Sequence, residues 1–220
     1  MQVTLSEENY LKAIYHLSAD HKAPVNTNSI AQSTQNTAAS VTDMLKKLTE
    51  KELVIYEKYK GVRLSEKGRK IAVSIVRKHR LWETFMVEKL QFAWDEVHEV
   101  AEQLEHVRSE KLIDALDTFL NHPKYDPHGD PIPSKDGILA NKHRPLLSAL
   151  EIGQSAVIVG VKEHSSDFLK YLAHQKLILG TSFKLISKFD FDLSYQIELL
   201  NGEKISISSK VAQNIITEPK

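Results

Sequence analysis

The hydrophobic period of this chain changes once, and proline marks the place. Up to about residue 120 the apolar residues recur at helical spacings, whereas from Leu150 they alternate or run together as in strands. Between the two lie residues 121–145, which hold five of the seven prolines: Pro123, Pro127, Pro131, Pro133 and Pro145. Proline fixes φ and removes a backbone donor, so this stretch continues neither a helix nor a central strand. The chain therefore has to build a helical part and a separate small β part, a mainly α architecture with a β domain at its end.

The helical part is punctuated near its start. Residues 6–18 (SEENYLKAIYHLS) read as an amphipathic helix with Tyr10, Leu11, Ile14 and Leu17 on its apolar face and a capping start at Ser6. Thr27 to Ser33 reads as a short helix, Thr34 to Asn36 as a break, and about Thr37 to Lys51 as a second helix. In that second helix Val41, Met44, Leu45 and Leu48 share one face. Thr37, Ala39, Ser40, Thr42, Asp43 and Lys46 lie at its start and on the opposite face. Small and hydroxyl side chains leading, with lysines behind, suit a helix that enters a major groove N-terminus first. A basic hairpin follows, with Lys58, Lys60 and Arg63, and then a long helix capped by Ser65. Helix, helix, helix, basic hairpin is the order of a winged helix-turn-helix.

Charge supports this. Residues 1–80 carry 14 Lys/Arg against 8 Asp/Glu, while residues 81–120 carry 3 against 10. A basic first third fits a polyanionic partner. The acidic middle carries His98, Glu102, Glu105 and His106 at helical spacings, within an arc of roughly 100° if one helix runs through them. His79 and Glu83, four apart, offer one more imidazole and carboxylate. Such a stripe is also what a solvated helix face looks like, but nitrogen and oxygen donors without a thiol suit Mn²⁺ or Fe²⁺.

The absence of cysteine excludes disulfides, thiolate zinc sites and cysteine nucleophiles. Neither a glycine-rich phosphate loop, a GxSxG elbow nor an HExxH helix occurs, so an enzyme is not expected. A carboxylate-bridged di-metal enzyme would need two Glu-x-x-His helices, and none is found. With neither a signal-peptide pattern nor an apolar run of ~18 residues, a cytoplasmic protein without a membrane partner is expected. In the β part, SAVIVGV, FKLISKF, YQIELL and KISIS read as strands, with Asn201-Gly202 as a hairpin turn and a short helix over about 164–172.

The blocks YLKAIYHL, EKGRKIA, RKHRLWE, VHEVAEQLEHV and DPHGDPIP, with the helix-turn-helix, resemble the diphtheria-toxin-repressor and manganese-transport-regulator family of metal-activated transcription factors. The resemblance covers nearly the whole chain. It implies a winged helix-turn-helix over 1–72, a helical dimerisation and metal-binding domain over 73–144 with a proline-rich linker from 121, and an SH3-like (FeoA-like) barrel over 145–220. It implies a homodimer that binds a palindromic double-stranded operator when Mn²⁺ or Fe²⁺ is bound, as a repressor of metal-uptake genes. By alignment the primary metal ligands would be Asn9, Glu102, Glu105 and His106. Manganese-responsive members carry Asp at the position of Asn9, and iron-responsive members Met. An ancillary site would use His79, Glu83 and His98, completed either by His164 and Asp167 of the barrel or by Asp126 and His128 of the proline-rich loop. The rival reading is a metal-independent winged-helix regulator that senses a small organic ligand.

Overall fold

The computed structural model describes residues 3–18, 23–57, 60–140 and 144–220. The chain forms two compact units. The first comprises residues 1–79, 102–110 and 133–139, and the second residues 80–101, 111–132 and 140–220. The stretch 73–144, expected as one helical domain, thus contributes to both. Among the described residues no helix is long and apolar enough to cross a membrane.

In the first unit α1 (Leu5–Leu17) is capped two residues earlier than Ser6 suggests. Thr4 is the N-cap: its hydroxyl accepts from the Glu7 N–H, and the Glu7 carboxylate accepts from the Thr4 N–H at 2.8 Å. This reciprocal box satisfies two backbone donors that the helix itself leaves open. Helix α2 (Thr27–Ser33) is capped by Asn26 and α3 (Ala38–Glu50) by Thr37. Between them Gln35 takes φ 52°, and the Asn36 N–H reaches back to the Ala31 carbonyl at 3.0 Å. That left-handed residue closes α2 and turns the chain into α3.

The wing is the antiparallel pair β1 (Val54–Glu57) and β2 (Gly61–Leu64), extended by a bridge from Val25 to Val62. Helix α4 (Glu66–Leu90) begins on Ser65, whose hydroxyl accepts from the Gly68 N–H. Tyr10, Leu11, Ile14, Ile30, Val41, Leu45, Leu48, Val62 and Val76 form the core of this unit. They are the apolar positions of the helical periods, and each large aliphatic side chain buried adds roughly 1.5–3 kcal/mol.

The second unit holds the β part. Strands β3 (Ser155–Val161), β4 (Ser182–Lys188), β5 (Tyr195–Leu199), β6 (Lys204–Ile207) and β7 (Ile215–Pro219) form one antiparallel sheet in the order β6-β5-β4-β3-β7. Helix α7 (Ser166–His174) lies between β3 and β4 in sequence. Ala156, Ile158, Phe183, Leu185, Ile197, Ile205 and Ile215 are buried in one cluster with Leu169 and Leu172 of that helix. Strand β7 was not evident in the sequence, because its five residues become a strand only by pairing with β3.

The helices of the middle region depart from the expected pattern at one functional point. Helix α5 (Val97–Leu104) stops before Glu105, and α6 (Glu110–Phe119) starts anew. Glu105 and His106 therefore sit in the turn after α5 and not on a continuous stripe with His98 and Glu102. Their side chains are drawn into ionic contacts with α1 and α4, and such tertiary contacts override a helical period.

Candidate metal centres and nucleic-acid interface

Thr37, Ala39, Ser40, Thr42, Asp43 and Lys46 are all exposed along the start and outer face of α3. The Thr37 hydroxyl accepts from the Ser40 N–H at 3.2 Å and lies 3.0 Å from the Ser40 hydroxyl, so the N-cap also positions a polar group at the helix tip. Lys46 pairs with Asp43 at 3.1 Å. In the wing Lys60 and Arg63 both approach Glu57, at 3.2 and 3.6 Å, which holds that carboxyl below the usual carboxylate range. These pairs are solvent-exposed and so contribute little; the cations can exchange partners for phosphate at small cost. Lys58 lies outside the described residues.

The first unit also contains an ionic cluster that joins α1 to the end of α5. The Lys12 ammonium lies 2.6 Å from Glu102 Oε1 and 2.6 Å from Glu105 Oε1. The other Glu105 oxygen is 2.7 Å from His79 Nδ1. Glu8 Oε2 is 2.6 Å from His106 Nδ1, and His106 Nε2 is 3.8 Å from Glu105 Oε1. Glu105 is fully buried. A buried carboxylate is tolerated only when it is paired, and Lys12 and His79 supply the pairing.

Asn9, the first-helix ligand that the resemblance implies, is exposed. Its neighbour Glu8 is the residue that reaches His106. Glu8 and Lys12 are four apart on α1 and therefore share one face, a spacing that is visible in the sequence once that face is known to meet Glu102 and Glu105.

The second unit carries a cluster built from α4 and the proline-rich loop. Glu83, Asp126 and His128 are all buried, and one ligand atom from each lies within 4.8 Å of the others. Glu83 Oε2 is 3.5 Å from His128 Nδ1, and Glu83 Oε1 is 3.5 Å from the more exposed His98. His128 Nε2 is 2.8 Å from the Trp94 carbonyl oxygen. One Asp126 oxygen accepts from the backbone N–H groups of His128 and Asp130, at 2.8 and 3.0 Å, and so folds the loop around itself. Arg80 sits 3.5 Å from the other Asp126 oxygen and 3.0 Å from Asp130, and donates to the Pro131 carbonyl at 2.6 Å.

The loop is seated on β3 by two glycines. Gly129 has φ +88°, and a side chain there would collide with the Val159 carbonyl and Gly160 Cα. The Val161 N–H donates to the His128 carbonyl at 2.8 Å across this contact.

Burial shapes the charge states. It disfavours the Asp126 carboxylate, and the carboxylates of Asp130 and Glu83 add to this, so its pKa is pushed up to about 7 against the pull of Arg80 and His128. Burial also opposes the His128 imidazolium, but Glu83, Asp126 and the Trp94 carbonyl outweigh it and raise its pKa to about 9. Desolvation holds His164 below the usual histidine value.

His164 stacks on His128 with ring centroids 5.1 Å apart, and its Nε2 is 3.2 Å from the Val161 carbonyl. Asp167 is exposed in the first turn of α7. Of the two sets that could complete a site around Glu83, the loop set of Asp126 and His128 is the one whose donor atoms converge with it. The donors are carboxylate oxygen and imidazole nitrogen with no thiol, which fits a Mn²⁺ or Fe²⁺ ion. Lys12, Glu8, Arg80 and the Trp94 carbonyl were not anticipated as parts of these clusters.

Three family models account for most of the chain. Residues 2–62 match the iron-dependent repressor N-terminal DNA-binding domain, residues 65–134 its metal-binding and dimerisation domain, and residues 146–219 the FeoA domain. The chain is 30% identical over 178 residues to the iron-dependent repressor IdeR of Mycobacterium leprae, covering 77% of each chain. It is 30% identical over 132 residues to the diphtheria toxin repressor of Corynebacterium jeikeium, covering 60% of this chain and 55% of the relative. Among solved structures, a manganese-dependent transcriptional repressor in complex with manganese superposes with a TM-score of 0.84 at 30% identity, over 97% of this chain and all of that one. ScaR with bound Zn²⁺ superposes with a TM-score of 0.74 at 35% identity, over 96% and 98%. These matches favour the metal-dependent reading over a sensor of an organic ligand, and the chain belongs to the iron-dependent (diphtheria toxin) repressor family of metal-dependent transcriptional regulators.

Proposed function

We propose that this chain is a repressor of metal-uptake genes that binds a palindromic operator as a homodimer when Mn²⁺ or Fe²⁺ occupies the cluster of Glu83, Asp126 and His128, with His98 at its edge. The observation that carries this is the burial of two carboxylates and an imidazole at one point, anchored to a loop whose backbone is shaped around Asp126. Arg80 meets Asp126 from one side and the protonated His128 faces Glu83, and a divalent ion would take the place of the imidazole proton between Glu83 and His128. An ion held by Glu83, Asp126 and His128 would supply positive charge to the two carboxylates. These residues bring α4 and the loop to one place, and that arrangement would gain population when an ion is bound to it alone. For the dimer, Trp82, Phe85 and the exposed Phe119 form an aromatic group on α4 and α6 suited to a partner helix.

The test is binding to a palindromic duplex selected from a random pool, in Mn²⁺ and in chelator. Tight binding by the dimer only with Mn²⁺ is expected. Equal affinity in both solutions would overturn the proposal.

Contacts on DNA divide by chemistry. Ser40, Thr42 and Asp43 bear on sequence choice, whereas Lys46, Lys60 and Arg63 meet phosphates. Lys60→Ala or Arg63→Ala is expected to weaken every DNA sequence alike and to flatten the salt dependence of log K by about one unit. Titrations at several salt concentrations check this, and a loss confined to the selected duplex would contradict the phosphate role.

A further inference from the structure

We propose that Lys12 is the resident cation of the first-unit cluster, so that this cluster holds α1 to the turn after α5 without a metal and takes up no divalent ion while Lys12 is in place. The inference rests on the metal-dependent reading above only in attributing the metal response to the other cluster.

The ammonium touches both carboxylates, at 2.6 Å each, and its side chain is only 12% exposed. Lysine offers three donors and no acceptor, so it can satisfy two carboxylates but ligate nothing. Two further pairs of donor atoms in the cluster are also in contact. Glu105 Oε2 lies 2.7 Å from His79 Nδ1, and His106 Nδ1 lies 2.6 Å from Glu8 Oε2. A divalent ion bound through Glu102 Oε1 and Glu105 Oε1 would need the oxygens that Lys12 holds, at about 2.1 Å, the distance at which small hard cations are held. Two cations cannot share that position. Their mutual repulsion adds to the loss of two charge-assisted hydrogen bonds when the lysine is expelled.

The ammonium performs mechanically what a metal would perform there. Lys12 belongs to α1, the first helix of the DNA-binding part. Glu102 lies in α5 and Glu105 in the turn beyond it. The tie runs between segments 90 and 93 residues apart in the chain. A metal that arrived at this point would find the helix already fastened.

The experiment is equilibrium dialysis of the full chain against Mn²⁺, read by elemental analysis, for the wild type, Lys12→Met and Lys12→Gln, with circular dichroism to verify folding. The wild type is expected to bind one ion per chain and each variant two, the additional ion at least ~100-fold more tightly than any second ion on the wild type. Hydrogen exchange gives the second readout. In chelator, amides of residues 5–17 should exchange faster in the variants than in the wild type, and Mn²⁺ should restore their protection. Two ions on the wild type, with one lost in Glu105→Gln, would overturn the inference. If the wild type binds none and the Lys12 variants bind one, the metal reading of the Glu83 cluster fails while the lysine inference stands. If neither the wild type nor the variants bind an ion, both fail.

Discussion

His128→Ala is expected to weaken Mn²⁺ uptake at the Glu83 cluster by at least ~100-fold, since on the proposed reading it removes a ligand and not merely a group that orients one. Metal-dependent DNA binding should fall with it. The same residue sets the pH dependence of the wild type. Its pKa is raised from 6.5 to about 9, so the stabilisation from its contact with Glu83 is complete below 6.5 and disappears as pH rises through 9. Asp126 acts in the same direction. Its pKa is raised from 3.8 to about 7, so the cost of burying its carboxylate is absent below 3.8 and is felt in full once pH has passed 7. The metal-free protein should therefore lose stability between about pH 6.5 and 9, while Mn²⁺ affinity climbs over the same interval, because the ion binds the deprotonated forms. Near neutral pH, binding should release about one proton from His128, plus a fraction from Asp126. Titration calorimetry in buffers of different ionisation enthalpy measures this release, and His128→Ala should reduce it by about one. An Mn²⁺ affinity independent of pH would show that these groups do not hold the ion.

Gly129→Ala should have the other large effect. The added methyl group meets backbone atoms of Val159 and Gly160, which cannot rotate away, and the residue must also keep a left-handed φ of +88°. The conformational strain costs about 1–2 kcal/mol, and overpacking adds roughly 1–3 kcal/mol. The loop is expected to lift from β3, breaking the bond from the Val161 N–H to the His128 carbonyl. A fall in melting temperature of several degrees and a loss of Mn²⁺ binding should occur together. Gly160→Ala, whose methyl group would lie 2.8 Å from the His128 carbonyl, should produce a milder form of both. A variant that melts earlier but binds Mn²⁺ normally would separate the loop from the site.

The parts of the fold that were legible in the sequence are those fixed by local chemistry. The helix-turn-helix follows from two short helical periods separated by the break at Thr34 to Asn36, and the wing from a basic hairpin. The β part was visible as alternation, except for β7, whose identity depends on pairing with β3. The convergence of Asp126 and His128 on Glu83 was one of the two groupings that the sequence offered, whereas the meeting of Glu105 with Lys12 and of Glu8 with His106 was not. The turn after α5 cannot be seen in a period that appears to run through it, and it redirects Glu105 and His106. Lys12 gave no sign, because its partners lie some ninety residues away and a lysine on an amphipathic helix ordinarily points to water. For the same reason the resemblance directed attention to Asn9, whereas its neighbours Glu8 and Lys12 make the contacts.

The hydrogen bond between His128 and the Trp94 carbonyl fixes which nitrogen can serve a metal. With Nε2–H donated to that oxygen at 2.8 Å, only the Nδ1 lone pair is left to face Glu83 and an ion beside it. The tautomer is thus selected by a main-chain atom. Substitution of the Trp94 side chain leaves the carbonyl in place as long as the backbone between α4 and α5 keeps its path. Ligand geometry at this centre is consequently inherited from the course of the chain at residue 94, and it can persist through sequence change at that position or be lost through an insertion nearby that alters no ligand at all.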